Sequence, residues 1–240
     1  MLPILSPYFS GPFASYGQGV GLMTNAHSPS LKTQMANGML FEEINTFATH
    51  RQLTKPRSQA SVWHMHYTLQ ILPSIIVAYS VLQHVLPLRL KDASWHSDTQ
   101  QLLLPHQGMR QTNYSAEERY HTLIFEHLTP LHEWLNGQYS ISKQVLWSNC
   151  AFRIDQFFYA IMQVLGKTPS LKHDRNTLLM HQTLQGDVNP LFSKPVMMVT
   201  HDDTYPIRSH CCLLHEVPRR AHCSDCPKLP EHVAHYSANR

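Results

Sequence analysis

From about Leu31 to Gly186 the apolar residues recur mostly at three- and four-residue steps. Side chains return to one face of an α-helix at that period. A chain patterned in this way over most of its length has to bury helical stripes against one another, so the expected fold is mainly α. The clearest stripe is Leu146, Cys150, Ile154, Phe157, Ile161 and Leu165, with Gly166 following as a stop signal. A second runs through Tyr120, Leu123, Ile124, Leu128, Leu131 and Leu135. Ser115 is its expected N-cap, Glu118 completes a capping box, and Gly137 is its expected end.

Three stretches break the pattern. The opening MLPILSPYFSGPFASYGQGVGL is rich in Pro, Gly and aromatics and reads as an irregular arm over residues 1–30. LKDASWHSDTQQLLLPHQGMRQTNYS is polar and broken by Pro105 and Gly108, which predicts a loop with a short element around Leu102 to Leu104. Val196 to Thr200 is apolar and partly β-branched, as expected of a strand leading into the turn-rich HDDTYPIRSH. The organisation is thus an arm (1–30), a helical body (31–195) and a small C-terminal cysteine-rich segment (196–240) with a few short strands.

Composition removes several function classes. Hydrophobic residues make up 42% and charged ones 15%, which fits a folded globular chain. With a net charge of +3 and scattered Lys and Arg, there is no basic stripe for nucleic acid. No Lys, Arg, Asp or Glu precedes Lys32, so the positive n-region of a secretory signal is missing and a cytoplasmic location is expected. Leu69 to Leu90 is apolar, yet Pro73, Gln83, His84 and Pro87 interrupt it. A buried core helix is expected there in place of a transmembrane span, leaving peripheral contact with the cytoplasmic membrane face open.

Four of the five cysteines fall within CCLLHEVPRRAHCSDC, as adjacent Cys211 and Cys212, a ten-residue gap, and Cys223-x-x-Cys226. Thiolates in such groups ligate iron–sulfur clusters or structural zinc. Neighbouring side chains in an extended segment point to opposite sides, which strains convergence on one zinc and suits a two-iron cluster better. The competing reading is a binding or interaction protein stabilised by zinc on the same four residues. Disulfides lack the secretory context, and a thioredoxin-type dithiol leaves Cys211 and Cys212 unexplained. Cys150 lies on the apolar stripe as a small buried hydrophobe. Among the 18 histidines, His64 and His66 sit two apart and face different sides of a helix, and His132-Glu133 begins like a zinc-protease motif that no second histidine completes.

The Cys211-Cys212 pair, the gap and Cys223-Ser-Asp-Cys226-Pro227 resemble the C-terminal motif of the FhuF-type ferric-siderophore reductases. Upstream, VAYSVLQHVLPLRL, EHLTPLHEWLNGQYSISKQVLWSNCA and NPLFSKPVMMV are similar in order and texture to that family's helical body, so the likeness extends from about Ala60 to Pro227. It implies a 2Fe-2S cluster on Cys211, Cys212, Cys223 and Cys226. It also implies one-electron reduction of a hydroxamate or catecholate ferric siderophore in cytoplasmic iron acquisition. Reduction loosens the chelate because oxygen donors favour the harder, higher-charged ion. No Gly-rich dinucleotide fingerprint follows a strand, so the expected donor is a separate protein such as a ferredoxin. Arg208, Arg219 and Arg220 are candidates for steering an anionic chelate or an acidic donor, the alternative being a solvated basic loop. His215 and His222 are candidates for hydrogen bonds to sulfur or for proton transfer.

Overall fold

Every residue of the Tyr120–Leu135 stripe, and all of the Leu146–Leu165 stripe but its last member, is buried in one core. The computed structural model describes residues 1–24, 28–193, 196–199 and 204–233, and the chain is mainly helical. Its helices are α1 (Leu31–Ala36), α2 (Met39–His50), α3 (Pro56–Ile76), α4 (Ala116–His121), α5 (Thr129–Tyr139), α6 (Lys143–Leu165) and α7 (Pro169–Met180). A π-helical turn, Val77–Val81, extends α3, and a second, Thr122–Leu128, joins α4 to α5. The described strands are β1 (Val20–Leu22), β2 (His84–Val85), β3 (Ser94–His96), β4 (Gln101–Leu104), β5 (Met109–Arg110), β6 (Thr183–Leu184), β7 (Asp187–Val188), β8 (Val196–Val199) and β9 (Thr204–Ile207).

Helix α3 is the axis of the body. Trp63, Tyr67, Ile71, Leu72, Ile75 and Ile76 are sealed on different sides of it, as befits a helix apolar around most of its circumference. Its tail carries the apolar run beginning at Leu69, but the helical course stops at Val81 and does not continue to Leu90. Gln83 takes a left-handed φ of 52°, and the chain turns into β2, which pairs with β5. Among the described residues no helix is long and apolar enough to cross a membrane.

The capping box at α4 is formed: the Glu118 N–H donates to Ser115 Oγ, and the Ser115 N–H donates to the Glu118 carboxylate at 2.7 Å. Gly137, however, does not end α5. The helix runs on to Tyr139, whose ring is buried and stacks on Phe41, and it stops at Ser140 with φ 50°. Packing of Tyr139 outweighs the roughly 1 kcal/mol that a mid-helix glycine costs. Gly166 does follow α6 as expected, with φ 86°, and Leu165 lies beyond the core, 42% exposed.

The arm forms two 3-10 turns, Pro3–Tyr8 and Gly11–Gly17, with Leu2, Leu5 and Phe9 buried in the same core as the helices. Gly19 lies against the Gln70 carbonyl so closely that a Cβ would stand 1.9 Å from it, which leaves glycine alone able to bring the arm there. The expected short element within the polar connection is β4, paired in parallel with β1 and antiparallel with β3. The strand expected at Val196 is β8. Its last expected member, Thr200, and the following His201 to Asp203 lie outside the described residues. Thr204 to Ile207 of the segment read as turn-rich form β9, antiparallel to β8.

Candidate metal centre

Strand β9 delivers the chain onto α6 at Arg208. This side chain is buried: one nitrogen donates to Asn149 Oδ1 at 2.9 Å, and the guanidinium lies 4.4 Å from the Phe152 ring centroid. Asn149 Nδ2 donates to Ser61 Oγ at 3.1 Å, and Ser61 Oγ donates to the Cys212 carbonyl at 2.7 Å. A buried polar chain across α6 and α3 therefore pins the vicinal cysteines. The Arg208 N–H donates to the Asp225 carbonyl at 2.9 Å, tying this limb to the second one. There the Cys226 N–H donates to the Cys223 carbonyl at 3.0 Å and closes the Cys-x-x-Cys turn. His232, which sequence spacing did not mark, is buried beneath it: Nδ1 donates to the Cys226 carbonyl at 2.8 Å and Nε2 accepts from the Tyr205 hydroxyl at 3.1 Å.

All four cysteines are free, and Cys211, Cys212 and Cys226 are buried. Their sulfurs stand as two pairs, Cys211 with Cys226 at 3.5 Å and Cys212 with Cys223 at 4.0 Å. Among the described residues, the one group of His, Cys, Asp or Glu ligand atoms lying mutually within 4.8 Å is elsewhere, so these sulfurs do not converge on a single point. Burial, with the Cys212 sulfur beside it, pushes the Cys223 thiol up to about 11; burial pushes that of Cys226 up to about 12. Both remain protonated at neutral pH unless a cation holds them as thiolates.

Of the flanking residues, His215 Nδ1 lies 3.6 Å from Cys211 Sγ, and burial lowers its pKa, so the ring favours the neutral form. His222 is exposed and stacks on His215 with centroids 4.1 Å apart. Arg219 and Arg220 are exposed on the loop, whereas Arg208 faces inward. Glu216 reaches the body by accepting from Ser58 Oγ at 2.7 Å and pairing with Lys55 at 3.2 Å.

Beside the cysteines the surface is hollow. A groove of about 690 Å³ between α6 and α7 is lined by Phe152, Tyr159, Lys167, Lys172 and Arg175. A second cleft of about 240 Å³ shares Phe152, Asp155 and Arg175 with it and reaches Ser209 and Asp225, the latter inside the Cys-x-x-Cys turn.

A different cluster lies in the core. His64 of α3, His132 of α5 and Cys150 of α6 bring Nε2, Nε2 and Sγ mutually within 4.8 Å, all fully buried. Desolvation lowers the pKa of His64 to about 3 and that of His132 well below its ordinary value, and raises that of Cys150. Sequence reasoning tested His64 against His66 and His132 against its own helix, and assigned Cys150 to packing. His64 lies 68 and 86 positions from the other two, which are themselves 18 apart on successive helices, and only the crossing of the three helices unites them.

A family model described as ferric iron reductase FhuF-like transporter matches residues 61–206, more than half of the chain, ending shortly before Cys211. Over 116 residues the chain is 29% identical to a ferric siderophore reductase of Escherichia coli (strain K12). That stretch is 48% of this chain and 42% of the relative's own length.

Proposed function

Because the chain belongs to the family of FhuF-like ferric iron reductases, we propose that it reduces siderophore-bound Fe(III) by one electron, with a 2Fe-2S cluster held by Cys211, Cys212, Cys223 and Cys226. The pairing of the sulfurs is the observation that carries this reading. Two sulfurs on one tetrahedral metal, with metal–sulfur bonds of about 2.3 Å, stand about 3.8 Å apart. Separations of 3.5 and 4.0 Å bracket that figure, and two pairs suit two metal atoms with two thiolates each. A lone zinc would draw all four sulfurs to the same spacing. The donor set therefore fits the group, which when bound supplies one-electron chemistry at a potential set by nearby charge and hydrogen bonds.

The chain's own residues do the rest. Ser61 and His232 hold the carbonyls of Cys212 and Cys226, and burial of three cysteines keeps water from the sulfurs. Lys167 and Lys172 line the groove where an anionic chelate of hydroxamate or catecholate type docks, close to Asp225 through the adjoining cleft. Arg219 and Arg220, exposed on the cysteine loop, offer a landing surface for an acidic cytoplasmic donor such as a ferredoxin.

Protein purified without air is expected to be red-brown, with iron and acid-labile sulfide in equal amounts and an EPR signal on one-electron reduction. When reduced, it is expected to deliver iron from a ferric siderophore to an Fe(II) chelator, and Cys223→Ser to abolish both signal and delivery. A colourless protein with one zinc overturns the proposal. Lys172→Ala is expected to raise KM for an anionic chelate severalfold, more at low salt, while kcat stays the same; an unchanged KM would move the docking site out of the groove.

A further inference from the structure

Four histidines are fully or almost fully buried among the described residues, and they divide into two kinds. His127 has both ring nitrogens bonded, to the Leu88 carbonyl and to the Tyr67 hydroxyl, and His232 likewise, to the Cys226 carbonyl and the Tyr205 hydroxyl. His64 and His132 meet Nε2 to Nε2 at 2.8 Å, and neither Nδ1 has a hydrogen-bond partner among the described residues. The Cys150 sulfur stands 3.6 Å from His64 Nε2 and 3.9 Å from His132 Nε2. One hydrogen bond and two loose sulfur contacts leave this polar cluster less satisfied than His127 and His232, which is costly for buried polar groups.

We infer that His64, His132 and Cys150 form a second, buried metal site for a soft transition-metal cation, with Cu⁺ as the ion that balances its charge. Two imidazoles and a thiolate are a donor set of d-block cations, and three-coordinate His₂Cys arrangements suit copper. The spacing agrees. With metal–nitrogen bonds of about 2.0–2.1 Å and metal–sulfur of about 2.3 Å, nitrogen and sulfur on one ion stand about 3.6–3.8 Å apart. The two nitrogens need to part by about half an ångström, exchanging their shared hydrogen bond for the ion. No partner on Nδ1 demands a proton on Nε2, so both rings are free to take the tautomer that offers the Nε2 lone pair.

Charge selects the ion. The Cys150 thiol gives up its proton to solvent as the ion binds, and the resulting thiolate neutralises Cu⁺, whereas a divalent cation leaves a net positive charge that no free buried carboxylate among the described residues meets. The buried carboxylate among the described residues, Asp174, is already engaged by Arg119. The site also lies close behind the candidate cluster: His64 is one helical turn along α3 from Ser61, and Cys150 follows Asn149 on α6, the two residues that pin Cys212.

The test uses the full chain expressed with copper supplied, because all three side chains are sealed from solvent, followed by challenge with a chromogenic Cu⁺ chelator. One equivalent is expected to survive in the wild type and in Cys223→Ser, which separates this site from the four-cysteine centre. X-ray absorption at the copper edge of the Cys223→Ser protein is expected to show two nitrogens and one sulfur. Cys150→Ser and His132→Gln are each expected to lose that equivalent. If either fails to fold, the absorption spectrum decides alone: an all-sulfur shell, or no retained copper, overturns the inference. Retention of Zn²⁺ in preference to Cu⁺ overturns the charge assignment.

Discussion

In the helical body Trp63, Tyr67, Tyr120 and Phe158 are sealed among the leucines and isoleucines of α3, α5 and α6, whereas residues 208–233 bury only Arg208, Cys211, Cys212, Cys226 and His232. Each fully buried leucine contributes on the order of 1.5–3 kcal/mol to the body. The segment relies on hydrogen bonds worth about 0.5–1.5 kcal/mol net apiece, such as Ser61 to Cys212, His232 to Cys226 and Ser58 to Glu216. The body thus carries its own stability, and the segment borrows order from the body and, on the proposed function, from the cluster that its thiols would hold.

Leu72→Ala strikes the body where α3 is fully buried, and a loss of about 2–5 kcal/mol is expected in denaturant unfolding. In the protein that stays folded, metal content should match the wild type; a parallel loss of metal would show the two regions to be one cooperative unit. Ser61→Ala attacks the join, leaving the Cys212 carbonyl and the Asn149 amide without their shared hydroxyl. A cost of about 1–3 kcal/mol is expected. It should appear mainly as faster metal release and proteolysis after residue 208, and equal protection in both proteins would remove Ser61 from the anchoring role.

Glu216 gives the smallest effect and the one that depends on pH. The Ser58 hydroxyl foremost, with Lys55, holds its carboxyl below its ordinary value of 4.5. A depressed carboxylate contributes stability that is present above the unfolded value and is lost as pH falls through the folded one. Below pH 4.5 the segment is therefore expected to loosen from α3, by less than about 1 kcal/mol since Lys55 is mostly exposed. Glu216→Gln should flatten that part of the profile in pulse proteolysis from pH 5 to 3; an unchanged slope assigns it to another carboxyl.

Much of the body was legible because helical burial is periodic. The Tyr120–Leu135 stripe, the Ser115–Glu118 capping box and the stop at Gly166 all follow from neighbours three or four residues apart. Gly137 and the run to Leu90 misled because their outcome depends on distant partners: the stack of Tyr139 on Phe41 carries α5 past the glycine, and pairing of His84 and Val85 with β5 replaces the last turns of α3. At the cysteines, the clustering was visible in the chain, while Arg208 facing inward and His232 beneath Cys226 were not.

By itself, then, the amino-acid order determined the helical class, the caps and the gathering of four thiols within sixteen residues, since each is a property of near neighbours. Only the tertiary structure decided which sulfurs stand together and that His64, His132 and Cys150 meet at all. His64 and His132 are 68 positions apart, and no local period records where α3, α5 and α6 cross. Convergence of ligand atoms is set by helix packing, and packing is a property of the whole core.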